Sequence, residues 1–338
     1  MIIKTVLLFI YLRRLLKMKL PELRIGNLVA KIPIIQGGMA VRISTARLAA
    51  AVGENGGIGI IAGSGMSFDE LRTEIRLARS LTKGIIGVNV MVAAREFKEL
   101  VKTAIDEGID LVVAGAGFSR DVFDIGKESN TPIVTMVSSI KAAKLSERLG
   151  AAAVVFEGKE AGGHLGTTNH SIKDFIAEMK KSVHLPVIGA GGIVSGQDIA
   201  DVLMLGADGV QMGTRFAMSE ECNAAPALKE FYLKAQKEDV VLIDSPVGLP
   251  GRALKNPFAE QIDQGTAGSK GCKGCLKHCS HSFCIIRALS RAQQGDVATG
   301  LVFTGENIYK IKEILSVKEI FNKLLKEIEL TNMFSSCS

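Results

Sequence analysis

The sequence predicts an α/β protein: a (β/α)8 TIM barrel with a small C-terminal helical cap domain. From residue 32 onward, short β-branched apolar runs alternate with longer amphipathic segments, a pattern typical of βα units around a parallel sheet. Eight such runs can be counted. They are mostly about 20 to 30 residues apart, enough for a strand, a helix and two loops. Eight units indicate a closed barrel.

The predicted strands are apolar runs bounded by turn-forming residues. They comprise residues 32–36, 58–62, 85–92, 111–114, 132–137, 153–157, 186–190 and 209–212. Between them, Ser44 is a candidate cap for the first helix, and Ser67 with Glu70 forms a capping-box pattern before the second. Helical runs are also followed by glycines suited to a C-terminal cap, namely Gly108, Gly150 and Gly206.

An open, doubly wound sheet is the main structural alternative, because it also alternates strands and helices. It predicts a glycine-rich dinucleotide fingerprint after the first strand and an acidic residue at the end of the second. Here the first strand ends in Gln36-Gly37-Gly38-Met39, and no acid follows the second. The missing fingerprint favours the barrel.

Composition indicates a well-packed soluble enzyme-sized chain. Its 338 residues are 47% hydrophobic and 22% charged, and they include 36 glycines. The formal charge of +6 is spread along the sequence, and there are no tryptophans and only three tyrosines. Neither a basic tract nor an aromatic platform suggests nucleic acid, so we expect a small-molecule substrate.

The first 17 residues are apolar with interspersed cations, but the uncharged stretch 5–12 is too short to cross a bilayer. We interpret residues 1–17 as an N-terminal extension from an upstream start codon, because Met18-Lys19-Leu20-Pro21 resembles the natural beginning of a protein chain. The alternative is an amphipathic helix lying on a membrane or on the barrel. We expect no stable membrane insertion and a cytoplasmic location, and a homodimer is compatible with the sequence.

The pattern divides the rest of the chain into three parts. Residues 18–219 form the barrel and its ligand site, and residues 220–300 form the helical cap with a cysteine cluster. Residues 245–257 read as a Pro- and Gly-containing connector within that cap. Residues 301–338 contain a C-terminal helix, predicted over 307–330, that packs on the barrel.

Chemistry in a parallel barrel lies at the carboxyl ends of the strands. Small and polar residues gather there: Gly37, Gly38 and Met39 after the first strand, Asn89 in the third, and Gly115 and Gly117 after the fourth. The last two units suggest a phosphate site, because Gly189-Ala190-Gly191-Gly192-Ile193 precedes a helix and Gln211-Met212-Gly213-Thr214 ends the last strand. Backbone amides and a helix N-terminus favour an anion at such loops.

The sixth strand leads into Glu157-Gly158-Lys159-Glu160-Ala161-Gly162-Gly163-His164. His164 stands in a glycine frame at a predicted strand end, where an imidazole is suited to exchange a proton. Glu157 or Glu160 is a candidate to orient this histidine or to bind a ligand hydroxyl. His170, His184 and His281 are interpreted as structural or exposed.

Several of these motifs, in this order, carry a family resemblance. The chain resembles the nitronate monooxygenase family, formerly called 2-nitropropane dioxygenases, which also includes the flavin-dependent enoyl-acyl-carrier-protein reductases. The resemblance runs from about residue 20 to residue 216. It rests on Gln36-Gly37-Gly38-Met39, Gly87-Val88-Asn89, Glu160-Ala161-Gly162-Gly163-His164-Leu165-Gly166, Ala190-Gly191-Gly192-Ile193 and Gln211-Met212-Gly213-Thr214-Arg215-Phe216.

The resemblance implies a flavoprotein whose barrel holds FMN, with possible use of NAD(P)H as reductant. His164 matches the catalytic histidine that these enzymes use beside the flavin. The positions that would bind the cofactor are Gly38, Met39, Asn89, Glu157, Gly162, Gly163, Gly191, Gly192, Gln211, Met212, Gly213 and Thr214. Electron transfer would belong to the flavin, and the protein would supply position and proton handling.

The cysteine cluster Cys272-x2-Cys275-x3-Cys279-x4-Cys284 is a candidate metal site. Four thiolates so close in sequence are suited to an iron–sulfur cluster or zinc, although the spacing matches neither the usual zinc ribbon nor the common ferredoxin run. The plainer alternative is a set of reduced thiols in the cap. The cluster departs from the family pattern, which leaves the substrate open.

The leading hypothesis from sequence is an FMN-dependent oxidoreductase of the nitronate monooxygenase type, which oxidises nitronates or nitroalkanes with O2 and uses His164 as proton acceptor. The first alternative is an NAD(P)H-dependent FMN enoyl-thioester reductase, with acyl carrier protein as a partner. An alternative of another class is a flavin- or phosphate-binding regulatory module without turnover.

Overall fold

The fold is described from a computed structural model of the chain. It covers residues 20–166, 168–268, 272 and 274–335, with side chains described up to residue 331. The predicted extension at residues 1–17 lies outside this range. Within the described ranges, no helix is both long and apolar enough to cross a membrane.

Eight parallel strands close into a barrel, which confirms the predicted fold class. In chain order they are β3 (Ile34–Gln36), β4 (Ile58–Ala62), β5 (Ile85–Met91), β6 (Leu111–Gly115), β7 (Ile133–Val137), β8 (Ala153–Glu157), β10 (Val187–Ala190) and β11 (Gly209–Met212). The barrel closes where β11 pairs with β3. Each predicted strand lies within two residues of its observed bounds.

Helices surround the barrel: α1 (Ala46–Glu54), α2 (Phe68–Leu81), α3 (Phe97–Asp106), α4 (Asp121–Ser129), α5 (Ile140–Leu149), α6 (Ile172–Ser182), α7 (Gly196–Met204) and the short α8 (Thr214–Ala217). The long C-terminal helix α12 (Val317–Ser335) packs on α7 and α1, and so completes the ring beside the short α8. Glu327 of α12 accepts a hydrogen bond from the Gly196 N–H at the start of α7 (2.6 Å).

A short hairpin of β1 (Leu23–Ile25) and β2 (Leu28–Ala30) precedes the barrel. Leu23 and Ile25 are fully buried and pack among side chains of the barrel interior. Leu23 lies against Gly209, the first residue of β11, so the hairpin covers the amino end of the barrel. The carboxyl end is therefore the open one. Strands β1 and β2 have three residues each, which is too short for a periodic hydrophobic pattern, so the sequence does not predict them.

The region predicted as the cap contains α9 (Pro226–Lys234), α10 (Pro257–Asp263) and α11 (Ile285–Gln293). It also contains a hairpin of β12 (Val240–Asp244) and β13 (Pro250–Leu254), which the sequence did not indicate. The outer edge of β13 pairs with β9 (Gly163–His164), a two-residue strand in the loop after β8. The cap is thereby tied by backbone hydrogen bonds to the loop that carries His164.

Two local predictions were wrong. Ser44 does not cap α1: the cap residue is Thr45, and the Ser44 hydroxyl instead accepts hydrogen bonds from Gln36 Nε2 and the Met39 N–H, both at 2.9 Å. The C-terminal helix begins at Val317 rather than at residue 307, because a single 3-10 turn and an extended segment come first.

Ser67 does cap α2, accepting from the Glu70 N–H. The glycines predicted to follow helices have positive φ angles of 75°, 93° and 103° at Gly108, Gly150 and Gly206.

Candidate active site

A large cavity lies at the carboxyl end of the barrel, between the strand ends and the cap. Its empty volume is about 1690 Å³, including space open to solvent. Predicted cofactor-binding residues all line it, as does His164: Gly38, Met39, Asn89, Glu157, Gly162, Gly163, Gly191, Gly192, Gln211, Met212, Gly213 and Thr214. The structure thus brings the predicted site together, apart from the cysteines.

The two sides of this cavity differ in chemistry. The barrel side is built from glycine backbones and from polar side chains such as Asn89, Glu157 and Gln211. The opposite side, which we call the apolar arm, is lined by cap residues, by the segment after the cap and by the loop after β3: Leu228, Tyr232, Ile285, Ile286, Leu289, Ala292, Leu301, Phe303, Val41 and Ile43. The cavity therefore has room for a polar, planar group on the barrel and an apolar group beneath the cap.

The floor of the barrel side is rigid. Gln36, which is fully buried, accepts a hydrogen bond from the Ile60 N–H (3.0 Å) through Oε1 and donates to Ser44 through Nε2. Gly38 lies so close to Asn89 that an added Cβ would sit 2.4 Å from the Asn89 Cβ. A side chain at position 38 would therefore displace Asn89, whose amide donates to the Val113 carbonyl (3.2 Å).

The predicted phosphate loops form one corner of the cavity. Gly191 and Gly192 have φ angles of 116° and 69°, which favour glycine. An added Cβ at Gly213 would meet only Met39, at 3.7 Å, so the space beside this backbone is open. Thr214 Oγ1 accepts a hydrogen bond from the Gly305 N–H (2.9 Å) and retains its own proton for a ligand.

The region between Leu301 and Asn307 closes this corner from the cap side. Asn307 Nδ2 donates to the Gly192 carbonyl (2.6 Å). Gly162 faces the same segment, and an added Cβ there would lie 2.4 Å from the Thr304 carbonyl carbon. Gly162 is thus required by packing on protein backbone, whereas the sequence analysis related it to the flavin.

His164 is held from two sides. Its backbone pairs with Gly251 in the β13–β9 ladder, and its ring lies edge-on to Phe303 with ring centres 5.1 Å apart. Its Nε2 lies 2.7 Å from the Ser245 hydroxyl. Burial lowers the pKa of His164 to about 4, because the charged form loses its hydration. The ring is therefore neutral at physiological pH.

Arg252 anchors the loop that leads to His164. Its Nε donates to the Ala161 carbonyl (3.0 Å) and its Nη2 to the Lys159 carbonyl (2.7 Å). Glu160, a candidate to orient His164, instead accepts a hydrogen bond from the Ile172 N–H at the start of α6 (3.3 Å). The hydrogen-bond partner of His164 is Ser245, so Glu160 does not orient the histidine, and its alternative role of binding a ligand hydroxyl stays a prediction.

Two buried polar groups on the barrel side, the amide of Gln211 and the carboxyl group of Glu157, are suited to bind a ligand. Gln211 Oε1 is buried without a hydrogen-bond partner in the part of the chain that the structure describes. Burial raises the pKa of Glu157 to about 8, because desolvation disfavours the carboxylate. A flavin, whose ring edge carries both N–H and C=O groups, fits this set, since it satisfies donors and acceptors alike and needs the glycine-lined space beside Gly213.

The four clustered cysteines lie outside the cavity lining, on the segment that precedes α11. Cys272 is exposed, Cys275, Cys279 and Cys284 are half-buried, and all four are free thiols. Across residues 20–166, 168–268, 272 and 274–335, no group of three or more His, Cys, Asp or Glu side chains is arranged to hold a metal ion. The metal at this cluster stays a prediction.

Sequence reasoning missed Ser245, Arg252, Phe303 and Asn307. They do not follow barrel strands, so the rule that places chemistry at strand ends does not reach them. The one sequence signal near them is the turn Ser245-Pro246-Val247-Gly248-Leu249-Pro250, whose composition predicts only a connector. This turn becomes important because β13, which follows it, pairs with β9, a strand far away in the sequence.

The chain matches a known protein family over most of its length. The sequence model of the nitronate monooxygenase family matches residues 22–327. Among solved structures, FabK from Thermotoga maritima superposes with a TM-score of 0.78 at 35% sequence identity, over 89% of this chain and 93% of that one.

Two curated relatives have different printed activities. A Mycobacterium tuberculosis protein named (3aS,4S,5R,7aS)-5-hydroxy-7a-methyl-1-oxo-octahydro-1H-indene-4-carboxyl-CoA dehydrogenase is 30% identical over 69% of this chain and 66% of its own length. A probable nitronate monooxygenase from Staphylococcus saprophyticus is 28% identical over 73% of this chain and 82% of its own.

Proposed function

The chain belongs to the nitronate monooxygenase family of flavin-dependent oxidoreductases, and we propose that it is an FMN-dependent reductase of enoyl thioesters that uses NAD(P)H. This choice reverses the order of the two enzyme hypotheses favoured by the sequence. The non-enzymatic alternative, a regulatory module without turnover, gains no support, because the family and its neighbours are enzymes.

The apolar arm is the observation that carries the proposal. A nitronate of a short alkane presents a few carbons beside its polar group and leaves most of such an arm without a partner. An acyl chain fills it, and each buried methylene contributes about 0.8 kcal/mol to binding. The arm and the polar barrel side line the same cavity, so a chain lying in the arm would place its thioester end toward the polar side.

Similarity supports the same choice. FabK is an enoyl reductase, and at 35% identity it resembles this chain over nearly its whole length. The 30% identical relative is named for a carboxyl-CoA, which is also a thioester, and its acid has a bicyclic hydrocarbon skeleton. The probable nitronate monooxygenase is 28% identical to this chain, below the 35% of FabK.

The residues on the barrel side would hold FMN. The backbones of Gly192, Gly213 and Thr214 would bind its phosphate, and Gln211 and Glu157 would contact the ring system. When bound, FMN supplies the hydride-transfer chemistry, which no protein side chain can perform. The cap over the cavity would exclude water and so strengthen polar interactions with the substrate.

His164 would act on the thioester rather than on the cofactor. A neutral imidazole in a desolvated site can donate a hydrogen bond to a carbonyl oxygen where negative charge develops during reduction. Its fixed position, between Ser245 and Phe303, would orient the acyl group that enters the arm. This role needs no change in the protonation state of the ring.

Nitronate oxidation is the second candidate. The family match and the Staphylococcus relative favour it. It would need His164 to accept a proton from a nitroalkane, and burial, which lowers the pKa of His164 to about 4, makes the imidazole a weak base for that step. Steady-state assays separate the two candidates: NADH or NADPH consumption with enoyl thioesters of four to ten carbons, against O2 consumption with propyl-2-nitronate. Turnover of nitronate alone would overturn the proposed function.

A further inference from the structure

The hydrogen bond between His164 and Ser245 has two possible directions, and each gives the imidazole a different chemical role. If Nε2–H donates to the hydroxyl, Nδ1 carries a lone pair and the ring is a base. If the Ser245 hydroxyl donates to Nε2, the neutral ring carries its proton on Nδ1 and becomes a donor.

The surroundings of Ser245 decide between these directions. Ser245 is buried, with 6% of its surface exposed. Among the residues that the structure describes, its hydroxyl has no hydrogen-bond partner other than His164 Nε2, at 2.7 Å. If the imidazole donated, the hydroxyl proton would be left buried without an acceptor, a costly arrangement. The geometry therefore favours donation by Ser245.

The backbone holds Ser245 in this place. Its N–H donates to the Leu249 carbonyl (3.2 Å), and its carbonyl accepts from the Gly248 N–H (3.0 Å), so the residue belongs to a closed turn between β12 and β13. The same hairpin pairs through Gly251 with His164 itself. Donor and acceptor thus sit on one small sheet, and their separation depends little on the barrel.

The other ring nitrogen, Nδ1, belongs to a side chain that lines the ligand space. His164 lines the cavity, and its Nδ1 has no hydrogen-bond partner in the described residues. We infer that Ser245 is a positioning residue that donates to Nε2 and holds His164 as the Nδ1–H tautomer, which then donates to the carbonyl oxygen of a thioester. This inference rests on the proposed function for the identity of the acceptor, but the tautomer can be tested without it.

Nuclear magnetic resonance tests the tautomer directly. Protein labelled with 15N-histidine and carrying oxidised flavin would be measured at neutral pH, and the His164 signals assigned by their loss in His164→Gln. We expect the proton on Nδ1 in the wild type and a shift toward the Nε2–H form in Ser245→Ala. A wild-type ring with its proton on Nε2, or a doubly protonated ring, would overturn the inference.

Kinetics then test the role. We expect Ser245→Ala to lower kcat for an enoyl thioester on the order of tenfold, the worth of one hydrogen bond, with flavin reduction by NAD(P)H unchanged. Ser245→Thr, which keeps the hydroxyl, should restore both the rate and the Nδ1–H tautomer. Ser282→Ala, on an exposed loop, is the matched control.

The outcomes separate the two proposals. A protein that holds the Nδ1–H tautomer but reduces no enoyl thioester would contradict the proposed function and keep the positioning role of Ser245. A protein that reduces enoyl thioesters equally well with alanine at position 245 would contradict the positioning role alone.

Discussion

His164 Nε2 lies 2.7 Å from Ser245 Oγ, although 81 residues separate the two in the chain. The first residue belongs to a loop of the barrel and the second to the hairpin of the cap. Their contact means that the reactive histidine has its correct orientation only when the cap is in place. The cap therefore contributes directly to the geometry of the site.

Replacement of His164 should abolish most of the activity. We expect His164→Ala to lower kcat/KM by roughly 100-fold or more, because it removes the polar group beside the reacting carbonyl. In the wild type, the rate should show no inflection near pH 6.5, since burial lowers the pKa of His164 to about 4. His170→Ala, whose ring stacks on Phe175 outside the cavity lining, is the matched control and should leave the rate unchanged.

The apolar arm should determine which acyl chain lengths the enzyme accepts. We expect Ala292→Leu, which extends a side chain into the arm, to lower kcat/KM for a ten-carbon enoyl thioester about tenfold, with little effect on the four-carbon one. The same substitution at exposed Ala227 on α9 controls for helix effects. Equal losses for both chain lengths, at unchanged melting temperature, would show that the acyl chain lies elsewhere.

Glu157 should make the flavin-free protein less stable as the pH rises. Its pKa is about 8 in the folded protein and ordinary in the unfolded one, so between roughly pH 4.5 and pH 8 the folded state binds the extra proton. The free energy of unfolding therefore falls across this window. Glu157→Gln lacks the titrating group and should lose this slope.

Urea denaturation at pH 5, 6.5 and 8 measures the effect as the difference between wild type and Glu157→Gln. His164 contributes the opposite slope between about pH 4 and 6.5, but it is present in both proteins and cancels. A constant difference across the three pH values would mean that Glu157 ionises normally in the cavity.

The cysteine cluster has a direct test. If its four thiolates hold iron–sulfur or zinc, anaerobically purified protein contains the metal in stoichiometric amount, and Cys279→Ser loses it. Cys222→Ser, which alters a buried thiol far along the chain from the cluster, should retain it. Protein that contains neither iron nor zinc removes the metal from consideration and leaves four reduced thiols in the cap.

The barrel could be predicted because its evidence is periodic and local. Each βα unit repeats the same pattern, and the carboxyl ends of parallel strands meet at one edge, so Asn89, His164 and Gly213 could be placed together from sequence. The agreement of predicted strands with observed ones, to within two residues, reflects this redundancy.

The cap could not be predicted in the same way. β13 begins with Pro250 and Gly251, residues that strands usually disfavour, and its pairing with β9 joins distant parts of the chain. Ser245 therefore read as part of a connector. Residues 307–316 have helical composition, but they form one 3-10 turn and an extended stretch before α12, which packs on α7.

Single-turnover flavin spectroscopy under anaerobic conditions tests the central claim, reduction of an enoyl thioester in this cavity, most directly. The protein-bound flavin is reduced with one equivalent of NADH or NADPH and then mixed with a ten-carbon 2-enoyl thioester. We predict that the oxidised flavin spectrum returns rapidly and that the saturated thioester forms in equal amount. If the flavin stays reduced with the thioester, while oxidised protein is bleached by propyl-2-nitronate, the account is contradicted and the protein is a nitronate oxidase.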